Sequence, residues 1–217
     1  SLYIAAQNGD VAAVKHLVQL GADVNQARED GVTPLLWAAL KGHLGVVQCL
    51  ISKGADVDHA IEDGVTPLLA AAQNGHLDVV KCLISKGADV NHVREDSVTP
   101  LLAAAREGHV GVSRYLVGQT GLKAAKGQLK KIGIMPGIDK KYLTQAVIVF
   151  LSLGVKLDDL SKEFKENIGP FFTKMVIRLG QYPLFHAKNG LMLEAHQYIA
   201  SSITKSSSLL DSLSPRK

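Results

Sequence analysis

A block of 33 residues recurs along this chain, and that period restricts the possible folds more than any other feature. Residues 31–63 read GVTPLLWAALKGHLGVVQCLISKGADVDHAIED, and residues 64–96 read GVTPLLAAAQNGHLDVVKCLISKGADVNHVRED. Residues 97–117, SVTPLLAAAREGHVGVSRYLV, are the front of a third copy. Residues 1–30 are the back of an earlier one, with Ser1 where Pro34 lies a period later; Gly21, Gly54 and Gly87 mark the spacing. A fixed period of about 20–50 residues is the sequence form of a stacked array, in which each unit buries its apolar face only against its neighbours.

Each unit has a local logic. Thr33, Thr66 and Thr99 precede proline, so threonine caps a helix whose first position the proline takes. A short apolar helix follows, LLWAA or LLAAA, in which alanine permits close approach. Gly42, Gly75 and Gly108 end it through a left-handed backbone. A second helix runs through VVQCLISK or VVKCLISK with its apolar residues on one stripe, and Gly54 or Gly87 stops it.

These residues resemble the ankyrin repeat, whose signature runs G-x-T-P-L-H-x-A-A, then G-H, V-V and G-A. The resemblance covers residues 1–117 closely, with four copies in register. It implies an all-α ankyrin-repeat solenoid, of paired antiparallel helices joined by β-turn or hairpin loops, followed by a C-terminal helical segment. One departure is systematic. The histidine after T-P-L is Leu36, Leu69 and Leu102 here, and Tyr3 in the first copy, so packing is expected to replace a hydrogen-bonding group. The acidic residue often placed three before the family's glycine is also missing, being Arg28, Ile61 and Arg94.

Beyond Val117 the period decays. Gly121 falls 34 residues after Gly87, and LSLGVKLDD at 151–159 and YPLFHAKNGLMLEAHQYIAS at 182–201 echo the repeat loosely. The expected organisation is an array over 1–121 and a helical module or degenerate repeats over 122–204. A serine-rich disordered tail follows over 205–217, with a proline-directed Ser214-Pro215 pair. Helices are expected over 140–153, along the Leu157, Leu160, Phe164 and Ile168 stripe, after Pro170, and over 190–203. The lysine-bearing stretch 126–141 reads as a loop or hinge. Residues 1–121 carry nine Lys/Arg against thirteen Asp/Glu, and residues 122–217 fifteen against seven, so an acidic array precedes a basic segment.

Hydrophobic residues make up 47% and charged residues 20% of the chain, which fits a folded, soluble protein. The longest apolar run, 143–155, is too short to span a bilayer, and the start SLYIAAQNGD has no basic leader region. Cys49 and Cys82 lie one period apart, and equivalent positions on stacked helices sit about 8–10 Å apart, beyond disulfide reach. The expected compartment is therefore intracellular, in the cytoplasm.

No G-x-S-x-G, P-loop or H-E-x-x-H motif occurs, and the chain is read as a non-enzyme without cofactors. His43, His76 and His109 recur one period apart, too far to share a zinc ion with ligands at about 2 Å. The resemblance makes them structural. His59 and His92 fail as a metal pair for the same reason. The two cysteines occupy the apolar stripe of second helices, where a thiol is inert. Outside the array, His186, Glu194 and His196 are the only residues resembling a catalytic group. The competing reading is an array that targets a C-terminal module with effector, enzymatic or anionic-surface-binding activity.

Trp37 breaks the repeat conspicuously: its equivalents are Ile4, Ala70 and Ala103, and so wide a size range predicts an exposed position. The resemblance implies a partner surface built from first-helix faces and turn tips. On the helices it comprises Ile4, Gln7 and Asn8; Trp37, Leu40 and Lys41; Ala70, Gln73 and Asn74; and Ala103, Arg106 and Glu107. On the tips it comprises Ala27, Glu29 and Asp30; Ala60, Glu62 and Asp63; and Val93, Glu95 and Asp96. The expected partner is a protein with a basic segment carrying apolar anchors for Trp37 and Leu40. A small-molecule substrate and nucleic acid are not expected. Self-association through the open first repeat is a further expectation.

Overall fold

The computed structural model describes residues 1–121, 123–125 and 127–128 of the 217. The sequence expectations for the rest of 122–204 and for the 205–217 tail lie outside the described residues. Among the described residues eight complete helices run in chain order: α1 Leu2–Gln7, α2 Val11–Gln19, α3 Pro34–Lys41, α4 Leu44–Ser52, α5 Pro67–Gln73, α6 Leu77–Ser85, α7 Pro100–Arg106 and α8 Val110–Thr120. They form four pairs. First helices pack on first helices (α1, α3, α5, α7) and second helices on second helices (α2, α4, α6, α8). Among the described residues there is no strand.

The threonines cap as their sequence context dictates. Thr33, Thr66 and Thr99 accept through Oγ1 from the amides of Leu36, Leu69 and Leu102 at 3.2, 3.3 and 3.3 Å, with Pro34, Pro67 and Pro100 opening the helices. All three threonines are buried. Losing such a cap costs a helix about 1 kcal/mol. Alanines at the seam (Ala38, Ala39, Ala71, Ala72, Ala104 and Ala105) are fully covered, which lets neighbouring first helices stack closely. Leu36, Leu69 and Leu102 are buried too, so burial replaces the family's histidine. Covering one such side chain is worth about 1.5–3 kcal/mol.

On the second helices Val14, Val46, Val47, Leu50, Val79, Val80 and Leu83 supply the core. Ser113 occupies the position of Val14, Val47 and Val80, and its hydroxyl is buried without a partner. Cys49 is buried, whereas Cys82, expected in the same stripe, is only half-buried. It lies in a groove with Leu44, Ile51 and Tyr115, where burial pushes its thiol pKa up, against Lys86. Both cysteines are free.

The last described turn departs from the period. After Gly21, Gly54 and Gly87 the chain makes a turn and a tip; after Gly121 it is helical at 123–125. Ala125 joins the common core, and Gln128 accepts a hydrogen bond from the Thr99 hydroxyl at 2.7 Å.

Candidate functional site

The histidines hold one repeat to the next. A carbonyl can only accept, so each ring donates through Nε2 to the end of the preceding first helix. His43 bonds Gln7 O, His76 bonds Leu40 O and His109 bonds Gln73 O, each at 3.0 Å. A second series reaches the tips: His59 to Gly31 O at 3.1 Å and His92 to Gly64 O at 2.9 Å. The first three rings are struts between repeats, and His59 and His92 tie each tip to the next across a single 33-residue copy.

The turns add a third series. Asn25 accepts from the Asp56 amide at 2.8 Å and donates to Gly54 O at 3.1 Å. One period on, Asp58 accepts from the Asp89 amide at 2.9 Å, and a carboxylate has nothing to donate to Gly87 O. The array is therefore linked at three heights, by the two histidine series and by the turns.

Each tip is closed by a short backbone pair: Arg28 N to Val32 O, Ile61 N to Val65 O and Arg94 N to Val98 O, at 3.0–3.1 Å. The first two turn through Gly31 and Gly64 with positive φ, and the third forces Ser97 to φ 65°. Glu29, Asp30, Glu62, Asp63, Glu95 and Asp96 are all exposed, as the sequence predicts. They are not equally free. Asp30 accepts from the Val32 amide and lies 3.8 Å from Arg28. Asp96 accepts from the Val98 amide and pairs with Arg94, whose guanidinium holds the carboxyl below its usual pKa. Arg94 and Arg28 are shifted up in turn, the first by Asp96 and the second by the Tyr3 hydroxyl. The second tip has Ile61 where the others have arginine, so Glu62 and Asp63 form its charge with no cation of their own tip.

On the first helices the structure corrects two expectations. Ala70 and Ala103 are only 2% and 1% exposed, so the equivalents of Trp37 do not all face solvent. A methyl is too short to rise past its neighbours, whereas Ile4 is 54% exposed. Variation in size therefore did not mark an open position. Trp37 itself is partly buried. Its ring stacks on Tyr3 with centroids 5.8 Å apart, Lys41 Nζ stands 5.6 Å over its face, and its indole N–H is buried without an acceptor. Arg28 completes the series, its guanidinium 4.7 Å from the Tyr3 centroid and bonded to the Tyr3 hydroxyl at 2.8 Å. Trp37 is thus a held side chain and not a free anchor, and Trp37→Ala will disturb packing.

Sequence reasoning missed Tyr3 and Arg28 as members of this patch. Both had been marked as departures from the repeat, at the histidine and acidic positions. Both lie in the same copy, residues 1–30, but 25 residues apart, one on its first helix and one on the tip that follows its second, and no local spacing rule joins those two places.

Gln7, Leu40 and Gln73 are half-buried and Asn8, Lys41 and Asn74 exposed. Asn74 is partly committed, its amide donating to Ala70 O at 2.9 Å. Arg106 and Glu107 pair with each other at 3.5 Å. Among the described residues no group of His, Cys, Asp and Glu has metal-holding spacing, and no helix is long and apolar enough to cross a membrane.

The family model described as Ankyrin repeats (3 copies) matches residues 2–94 and 58–128. No curated protein matches the chain. The matched residues take in more than half of the sequence, and the chain belongs to the ankyrin-repeat family.

Proposed function

We propose that this ankyrin-repeat protein holds a partner protein against the face formed by α1, α3, α5 and α7 and the three tips. Ankyrin repeats are generally protein–protein interaction modules without catalytic activity, and that supports a binding reading over an enzymatic one. The observation that carries it is the contrast between rigid support and uncommitted surface. Five histidine struts fix the array, while Gln7, Asn8, Leu40, Lys41, Gln73, Glu29, Glu62, Asp63 and Glu95 have polar ends or apolar area left for a partner. A preformed surface loses little ordering entropy on binding. The acidic tips favour a basic stretch in the partner, and Leu40 beside the Trp37 ring offers apolar area for an anchor.

The test is capture of partner by the full chain and by a Trp37→Ala/Leu40→Ala variant, each with its melting temperature. Because Trp37 packs on Tyr3, the variant is expected to melt lower, so capture is compared at a temperature where both remain folded. Capture falling about tenfold or more supports the reading, since anchors at an interface centre contribute at least about 1–2 kcal/mol. Undiminished capture by the folded variant contradicts it.

A further inference from the structure

The partner's charge can be specified further, on the basis of the proposed binding face. We infer that the Trp37–Lys41 turn of α3 seats an acidic side chain of a partner peptide. That peptide's basic residues then meet the second tip at Glu62 and Asp63.

The inference starts from which charges are already answered. Arg28 pairs with Asp30, Arg94 with Asp96 and Arg106 with Glu107. Lys41 belongs to none of the ion pairs among the described residues. Its ammonium stands instead over the Trp37 ring, 5.6 Å from the centroid, and the residue is exposed. A cation over an aromatic face at an exposed site is held only weakly, so the ammonium keeps most of its capacity to donate. A carboxylate seated on the solvent side of Lys41 would add a charge-assisted bond without displacing the ring beneath.

Trp37 gives that seat a floor. The ring is held by its stack on Tyr3, so the ammonium above it has a fixed base. The apolar area for a side chain adjacent to the acid is that of the half-buried Leu40 on the same helix. The predicted anchor is therefore a pair, an Asp or Glu next to an aromatic or leucine.

The same repeat, 31–63, carries both this cation and the tip that lacks arginine. An all-acidic peptide would be repelled at Glu62 and Asp63, and an all-basic one at Lys41. Only a segment of mixed charge answers both ends. The surface thus sets composition as well as place.

The experiment is selection of a random twelve-residue peptide library, displayed on phage, against the full chain. Parallel selections use Lys41→Gln, Lys41→Glu and Glu62→Lys/Asp63→Lys, all exposed positions, with circular dichroism checking each fold. The wild-type chain is expected to enrich peptides with an acid beside an apolar residue and a basic residue elsewhere. Their Kd should rise about tenfold for Lys41→Gln and further for Lys41→Glu, as expected for loss of one close charge pair. The tip variant should instead select against the basic residue. Peptides that are basic, depend on Glu62 and Asp63 and ignore Lys41 would overturn this inference while leaving the binding face intact. Failure to select any peptide sensitive to these variants would overturn both.

Discussion

The ring of His76 lies so close to Gly42 that a β-carbon on the glycine would stand 2.5 Å from Nδ1. The same ring donates to Leu40 O at 3.0 Å, so the end of α3 is clasped from the next repeat. Gly9 with His43 and Gly75 with His109 repeat the relation. A left-handed helix end and a strut between repeats are thus one device, and the glycine serves both.

Gly42→Ala is expected to cost more than a glycine replacement elsewhere in the period. At Gly42 the φ of 79° opposes any side chain, and the methyl must also push His76 from its carbonyl. Gly87, with φ 93° and open space around it, isolates the backbone part alone. Urea denaturation should show about 1–2 kcal/mol lost for Gly87→Ala and at least about 1 kcal/mol more for Gly42→Ala. Equal losses would mean the clasp carries no net stability.

Ser97 stands where Gly31 and Gly64 turn their tips, and its φ of 65° puts an L side chain in the left-handed region. Ser97→Gly removes that strain, offset partly by glycine's greater freedom in the unfolded chain. The expected gain is about 0.5–1 kcal/mol, read as a higher midpoint in urea with an unchanged slope.

Asp58→Asn should also stabilise. Asn25 makes two bonds to the next turn, at 2.8 and 3.1 Å, and Asp58 makes one at 2.9 Å. An amide at 58 can keep the first and donate to Gly87 O, a gain of about 0.5–1.5 kcal/mol. The reverse change, Asn25→Asp, should lose a similar amount by the same denaturation measurement.

The repeat and its caps were legible because they are local. Thr-Pro pairs, alanine seams and terminal glycines act within one unit, and their spacing names the fold. The leucines replacing histidine were read correctly for the same reason, since burial follows from their place in the first helix. What was not legible depends on contacts between units. Trp37 looked free because its equivalents vary in size, yet Tyr3 holds it from the preceding repeat, and Ala70 and Ala103 are buried by their shortness. The tip acids looked alike, but Arg28 and Arg94 pair with Asp30 and Asp96 on their own tips, while Asp63, beside Ile61 on the middle tip, acts on Arg94 of the next one.

The Arg94–Asp96 pair predicts a pH dependence of definite sign. Asp96 has its pKa lowered in the folded chain, chiefly by its hydrogen bond to Arg94. Its contribution is therefore present above the unfolded carboxylate pKa of about 4 and fades as pH falls through the lower folded value. Asp96 is substantially exposed, so the effect is small. Melting temperatures from pH 6 down to pH 2 should fall less steeply for Asp96→Asn than for the wild-type chain. Parallel slopes would show that the pair does not contribute.

The central claim, that a partner lies on the first-helix and tip face, is tested most directly by site-specific photo-crosslinking in cells. A benzophenone amino acid is placed at Gln73 on that face, at Glu62 on the middle tip, or at Gln48 on the opposite, second-helix side. The account predicts one common crosslinked partner from Gln73 and Glu62 and none of it from Gln48. Crosslinking of that partner from Gln48, with Gln73 and Glu62 silent, would contradict it.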